Sequence, residues 1–276
     1  LDQIPKAQSG FANVVLFFVA LSLTSIGKTE EARSLWSDLI RKEKTIKKAG
    51  HRFSLYKKWW ARNEYAYARY LYIRDVETNL TLTAFQDTGK SILKVLEDTG
   101  KHLHDYPGYY MLKAICEFHI GEPKLAKLTS ESGLKRFKKQ PNLTCSFNLS
   151  LAFISAWRRL YHRSLKYYNS TITISYSPDD SDQIIRFIRT VITNNPERKD
   201  LYFCISFIID HHCNAQDPRL IYEDFLDQSA DLMDIDILRD AANSRLERLH
   251  NSNERLNRAA PKCAPLTSQG STQRHR

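Results

Sequence analysis

Glycine and proline are scarce in this chain, nine of each among 276 residues. So few backbone breakers argue against a turn-rich β fold and favour helices. Cysteine is scarce too. Cys116, Cys145, Cys204, Cys213 and Cys263 are odd in number, and no two have C-x-x-C spacing. Neither a disulfide framework nor a zinc knuckle is expected, and a reducing, cytoplasmic setting is the simplest reading. Long apolar runs are missing as well. The nearest, Phe11–Ile26, has 16 residues and includes Asn13, Ser22, Thr24 and Ser25, against the ~20 apolar residues a spanning helix needs. No membrane span is expected. A secretory core is the alternative reading of this run, with only Lys6 as its basic lead. The chain opens on Leu1, which suggests a fragment or a processed chain.

What is present is ordinary for a globular protein: 42% apolar and 26% charged residues. The charge is not evenly spread. Of a net +10, the segment Arg41–Asp75 carries eleven Lys/Arg against three Asp/Glu, a surplus of eight. Such a patch suits an acidic protein, RNA or an anionic membrane surface. Solvated helix faces are the plainer explanation.

The stretch Leu16–Ile40 organises the chain. Leu16, Val19, Ala20 and Leu23 fall at helical spacing before Gly27, and Ala32, Trp36, Leu39 and Ile40 do so after it. Two short amphipathic helices meeting at a glycine turn can begin to bury each other's stripes. Tyr109–Phe137 repeats the pattern, with Ala114 seven residues before Gly121 and Ala126 five after, as Ala20 and Ala32 flank Gly27. Small residues recur where stacked helix pairs must approach closely.

Between these units lies a basic linker, Arg41–Gly50, and an aromatic-rich segment, Phe53–Asp75, read as a helix, either whole or broken near Asn63. Thr78–Phe85 alternates polar and apolar residues and reads as a short strand, a loop or a helix start. Ser91–His104 reads as a helix weakened at Gly100. Beyond Pro141, Leu149–Tyr168 begins another helical stretch. Ser175–Ser181 reads as a loop that caps the helix carrying Ile184 to Ile192. Leu201–His212 is expected to be a helix with Tyr202, Ile205, Ser206 and Ile209 on one side. Leu220–Leu226 and Ile235–Leu249 are read as the closing helices.

These spacings resemble tetratricopeptide repeats, a family of stacked helix pairs of about 34 residues. Leu16, Val19, Ala20, Leu23, Gly27, Ala32 and Trp36 match its pattern nearly throughout. Ala114, Gly121 and Ala126 match in the second unit, where Lys113, Glu117 and Ser130 depart from it. Tyr202, Ile205, Ser206 and Ile209 match a first helix only, and Pro218 is read as interrupting its partner. The resemblance implies a right-handed α-solenoid and protein binding on a concave face. It brings no catalytic residues.

Four short motifs compete with that reading. Ala84–Ser91, AFQDTGKS, fits a loose phosphate-binding loop in which Lys90 would meet phosphates and Ser91 magnesium, with Asp210 as a second metal contact. It has one glycine and no βα alternation around it, and DTGK recurs at Asp98–Lys101. Asp210-His211-His212-Cys213 spells an S-acyltransferase signature without that family's cysteine-rich stretch or spans. A metal site there meets the objection that neighbouring histidines point apart on a helix. Arg245–His250 has the R-x4-H spacing of some helical ribonucleases. Sequons at Asn79, Asn142, Asn148 and Asn169 matter only in a secreted chain.

The expectation is therefore an all-α solenoid over residues 1–250, tetratricopeptide-like, with a disordered polar tail from 251. Its function is expected to be a non-catalytic scaffold that binds an acidic peptide or protein, without metal or cofactor. Lys47, Lys48, Lys57, Lys58, Arg62 and Arg69 are the candidate contacts. Ala20, Gly27, Ala32, Trp36, Ala114, Gly121 and Ala126 are the candidate packing residues. The alternatives are an RNA-binding helical repeat, with rings of the same segment stacking on bases, and the helical domain of a larger enzyme.

Overall fold

A computed structural model describes residues 6–44, 50–74, 82–172, 174, 178–212 and 217–259. They form twelve α-helices and, among the described residues, no strand. In order these are α1 (Lys6–Ser25), α2 (Thr29–Lys44), α3 (Gly50–Tyr72), α4 (Leu82–Leu103), α5 (Pro107–His119), α6 (Pro123–Phe137), α7 (Pro141–Trp157), α8 (Tyr161–Asn169), α9 (Pro178–Thr193), α10 (Tyr202–His212), α11 (Pro218–Gln228) and α12 (Asp236–Ala259). From α1 to α8 each helix packs on its successor. After α8 the order changes, because α9 returns to α7 and α12 touches α8.

The turn glycines have the role their spacing suggests. Gly27 has φ +81° and Gly121 φ +87°, the left-handed conformation that closes a helix without a Cβ penalty. The amide of Lys28 donates to the carbonyl of Leu23 at 2.9 Å, and that of Glu122 to Glu117 at 2.9 Å. These bonds satisfy carbonyls that a helix end leaves free. Around the turns, Ala20, Ala32, Trp36 and Ala126 are fully buried and Ala114 nearly so.

A third hairpin of the same build joins α7 to α8, and its sequence hides it. Arg159 sits at φ +58° where the other two have glycine. The Leu160 amide donates to the Ser155 carbonyl at 2.8 Å, the bond made by Lys28 and Glu122. Seven residues before Arg159 stands Ala152, five after stands Ser164 and nine after stands Tyr168, all fully buried. They match Ala20, Ala32 and Trp36 in place. Leu149–Tyr168 thus spans parts of two helices.

The second helices share one burial pattern. Ala126, Ser130, Gly133 and Phe137 on α6 recur in register as Ile92, Leu96, Thr99 and Leu103 on α4. Steps of four, three and four residues keep these side chains in one stripe facing the neighbouring first helices.

Other expectations are corrected or narrowed. Residues 41–44, read as linker, belong to α2. Of the readings of Thr78–Phe85 the helix start holds for its described part, since Leu82 opens α4. Helix α3 is unbroken at Asn63, since the buried amide Nδ2 donates to the Thr29 carbonyl at 3.2 Å and its Oδ1 accepts from Thr24 at 2.8 Å. Pro218 does not interrupt a partner helix. It begins α11 behind Asp217, whose carboxylate accepts from the Arg219 amide at 3.1 Å, the position at which proline's missing N–H costs least. On α10 the buried side chains are Phe203, Cys204, Ser206, Phe207 and Ile208, while Tyr202 and Ile205 are half-buried and pack against the core and Ile209 is half-buried. Helix α12 runs on to Ala259, past the expected start of the tail at 251. The rest of that tail lies outside the described residues.

Candidate functional site

The basic residues of α3 divide by helical spacing. Lys58, Arg62 and Arg69 are separated by four and seven residues and share one face, while Lys57 is turned away from it. Lys57 acts near the end of α4, where burial first and the Lys57 charge second hold His102 below its usual pKa. Lys58 is exposed and lies 3.9 Å from Asp105, which also meets Arg136 at 3.1 Å and His104 at 2.7 Å. Lys47 and Lys48 lie outside the described residues. The six candidate cations are therefore not one cluster.

Arg62 and Arg69 do come together, at an open cleft of about 550 Å³. The α1–α2 turn supplies one wall with Ser25, Gly27 and Thr29. Helix α3 supplies the floor with Arg62, Tyr65, Ala66, Arg69, Tyr70 and Ile73, and Tyr106 closes the end. The Arg62 guanidinium lies over the Trp59 ring, 4.8 Å from its centre. The rings of Tyr65 and Tyr106 meet edge to face at 4.8 Å. Burial first and Tyr106 second push the Tyr65 hydroxyl pKa up, against the pull of Arg69. Among the described residues no carboxylate pairs with Arg62 or Arg69.

The cleft is held rigid from behind. Arg33 on α2 donates from Nε and Nη2 to both oxygens of Glu64 at 2.8 and 3.0 Å, and lies over the Tyr67 ring at 4.0 Å. The Glu64 side chain is only 7% exposed, and the fork of Arg33 satisfies both of its oxygens there. The Trp36 indole donates to Thr24 at 3.1 Å, and Thr24 to Asn63 at 2.8 Å. These bonds lock the first hairpin onto α3 and fix the cleft wall. Tyr56, Tyr65 and Tyr72 are buried, whereas Tyr70 and Tyr106 are 46% and 37% exposed. Among the described rings of the aromatic segment three are thus buried, Trp59, Trp60 and Tyr67 are half-buried, and Tyr70 is surface.

The chemical motifs are not assembled into sites. Ala84–Ser91 is continuous helix within α4. Lys90 is exposed and the Ser91 hydroxyl donates to the Asp87 carbonyl one turn back at 3.0 Å. The repeated DTGK has a packing explanation. Its two copies stand eleven residues apart, about three turns, on one face of α4. There Gly89 lies against Ile120 and Gly100 under the Tyr109 ring, at opposite ends of α5.

Asp210 takes both Arg245 nitrogens at 2.7 and 2.9 Å and the Tyr222 hydroxyl at 3.1 Å. Helix α10 is thereby tied to α11 and α12, and Arg245 is committed to that pair. Burial pushes the Asp210 carboxyl up most strongly, but the bond from Arg245, the His211 and Arg245 charges and the Tyr222 bond together hold it below the usual carboxylate range. The rings of His211 and His212 are 6.4 Å apart, and His212 bonds to Thr171 at 3.2 Å. Cys213 lies outside the described residues. Among the described residues no group of three His, Cys, Asp or Glu could hold a metal, and no helix is long and apolar enough to cross a membrane.

Sequence reasoning missed Tyr106, a lone ring after α4, and the Arg33–Glu64 pair. No local pattern marks either, since their partners lie over thirty residues away. No family model matches this chain, and neither the curated proteins nor the solved structures contain a match to it.

Proposed function

We propose that this protein is a non-catalytic helical-repeat scaffold, tetratricopeptide-like in its hairpins, that binds an acidic peptide segment in the Arg62/Arg69 cleft. The observation that carries this reading is a pair of arginines without carboxylate partners among the described residues, lining an aromatic cleft of about 550 Å³. Three half-buried arginines are committed internally, Arg33 to Glu64, Arg198 to Asp200 and Arg245 to Asp210, whereas half-buried Arg62 and exposed Arg69 are not. Two that are left open on a braced surface suit a ligand that brings its own carboxylates. A cleft walled by rings and hydroxyls has the make-up of a binding site. It contains no nucleophile–base pair, which favours recognition over reaction.

The test is fluorescence anisotropy with a labelled deca-glutamate peptide. The charge-reversed Arg62→Glu/Arg69→Glu protein should bind at least tenfold more weakly. Reversing Lys135 and Lys139, exposed on and after α6, is the control and should have little effect. Equal losses in both proteins would reduce the binding to net charge. Tighter binding of a labelled deca-uridine RNA than of the peptide would replace this reading with the nucleic-acid one.

A further inference from the structure

The spacing of the two arginines says which acidic segment fits. Arg62 and Arg69 stand seven residues apart on α3, two turns, so their backbones are separated by about 10.5 Å. Helical side chains lean toward the N-terminus, as Arg62 does in reaching back over Trp59. A lean common to both residues keeps that separation at the guanidinium groups.

We infer that the cleft takes an extended, proline-containing segment in the polyproline II conformation, with two glutamates three residues apart. This rests on the acidic-peptide reading above and sharpens it. A polyproline II chain has three residues per turn and rises about 3.1 Å per residue, so positions i and i+3 share one side about 9.3 Å apart. That matches the arginines. In a β-strand i and i+3 point to opposite faces, and the same-face spacings of about 6.7 and 13 Å both miss. An α-helix reaches the same spacing at i and i+7. A helical peptide with that spacing is the competing occupant, and the experiment below separates the two.

The aromatic lining favours the same occupant. Tyr70 and Tyr106 expose ring surface within the cleft, and Tyr65 braces Tyr106 from below. Flat rings are the surface on which prolines of this conformation lie, and a preformed chain loses little entropy on binding. Ile73 continues the apolar strip beyond Tyr70.

The experiment holds composition fixed and moves one residue. Labelled peptides PPEPPEPP, PPEPEPPP and PPEPPPEP place the same two glutamates three, two and four residues apart. An alanine-rich helical peptide with glutamates at i and i+7 and the deca-glutamate peptide complete the set. The first peptide should bind about five- to tenfold more tightly than the other two proline peptides, the loss of one arginine–carboxylate contact. The pairing is then read by crossing variants. With Arg62→Ala, changing one glutamate of PPEPPEPP to glutamine should cost nothing while the other keeps its cost. With Arg69→Ala the two should exchange roles. Equal affinity at all three spacings, with deca-glutamate still bound, would overturn the spacing inference and leave the acidic-peptide reading standing. Preference for the helical peptide would do the same. Failure of every acidic peptide, deca-glutamate included, would overturn both.

Discussion

Helices α1 and α7 are equally apolar and equally without a polar side, yet the protein treats them differently. In α7 every residue from Cys145 to Ala156 is buried, because α6, α8 and α9 enclose it. In α1 Ala20 is buried, but Val14, Val15, Phe18 and Val19 are between 39% and 59% exposed, because α1 packs chiefly on α2 and α3. A helix apolar all round is normally interior. Place in the stack, not composition, decides how much of that surface leaves water. The small cluster beneath α1, built on Ala20, Ala32, Trp36, Leu39 and Tyr56, is separate from the main core that α7 runs through.

The largest contrast should appear in paired truncations. Phe153 on α7 is fully buried against Phe118 and Phe187, so Phe153→Ala should cost about 3–5 kcal/mol. Phe18→Ala on α1, where the ring is 59% exposed, should cost under about 0.5 kcal/mol. Urea denaturation measures both, and similar values would break the comparison.

A subtler test asks how tightly α7 is enclosed. A Cβ at Gly133 on α6 would run into the buried Phe147 ring of α7. Gly133→Ala should gain up to about 1 kcal/mol of helix propensity and lose about 1–3 through overpacking. The clash wins, and the midpoint in urea should fall.

Acid should reach the core around α7 through His119. That ring lies among Tyr72, Phe118 and Phe187, and burial pulls its pKa down to about 4. The unfolded chain takes up a proton near pH 6.5 that the folded one refuses until about pH 4. Stability is therefore complete above pH 6.5 and is lost as the pH falls toward 4. The loss should be about 1–2 kcal/mol by pH 5, and His119→Phe should flatten that part of a thermal-melt pH profile.

The smallest effects belong to the turns, which all three hairpins share. Gly121→Ala should cost about 1 kcal/mol through backbone alone, since nothing lies within 4 Å of the added Cβ. Arg159→Gly should stabilise by about 0.5–1 kcal/mol by relieving the positive φ. A melting temperature that fell with Arg159→Gly would show that the arginine side chain is needed in the third turn.

The two hairpins written with glycine could be read directly from the chain. The third could not, since its arginine occupies a conformation that arginine disfavours, held there by the packing of Ala152, Ser164 and Tyr168. The candidate site was half legible. A run of cations marks α3, and helical spacing groups Lys58, Arg62 and Arg69. Which of them stays open was settled by residues distant in sequence: Asp105 beside Lys58, and Tyr106 and the Gly27 turn around the two arginines.

By itself the sequence determined helical class, the Gly27 and Gly121 turns and the small residues beside them. Each of these follows from backbone sterics and apolar periodicity, which act over one or two turns. Only the tertiary structure decided that α7 is enclosed and α1 half open, that DTGK is a packing face, and that Arg62 and Arg69 share a cleft. Burial and ion pairing depend on what a neighbour thirty residues away brings, and a local pattern carries no record of it.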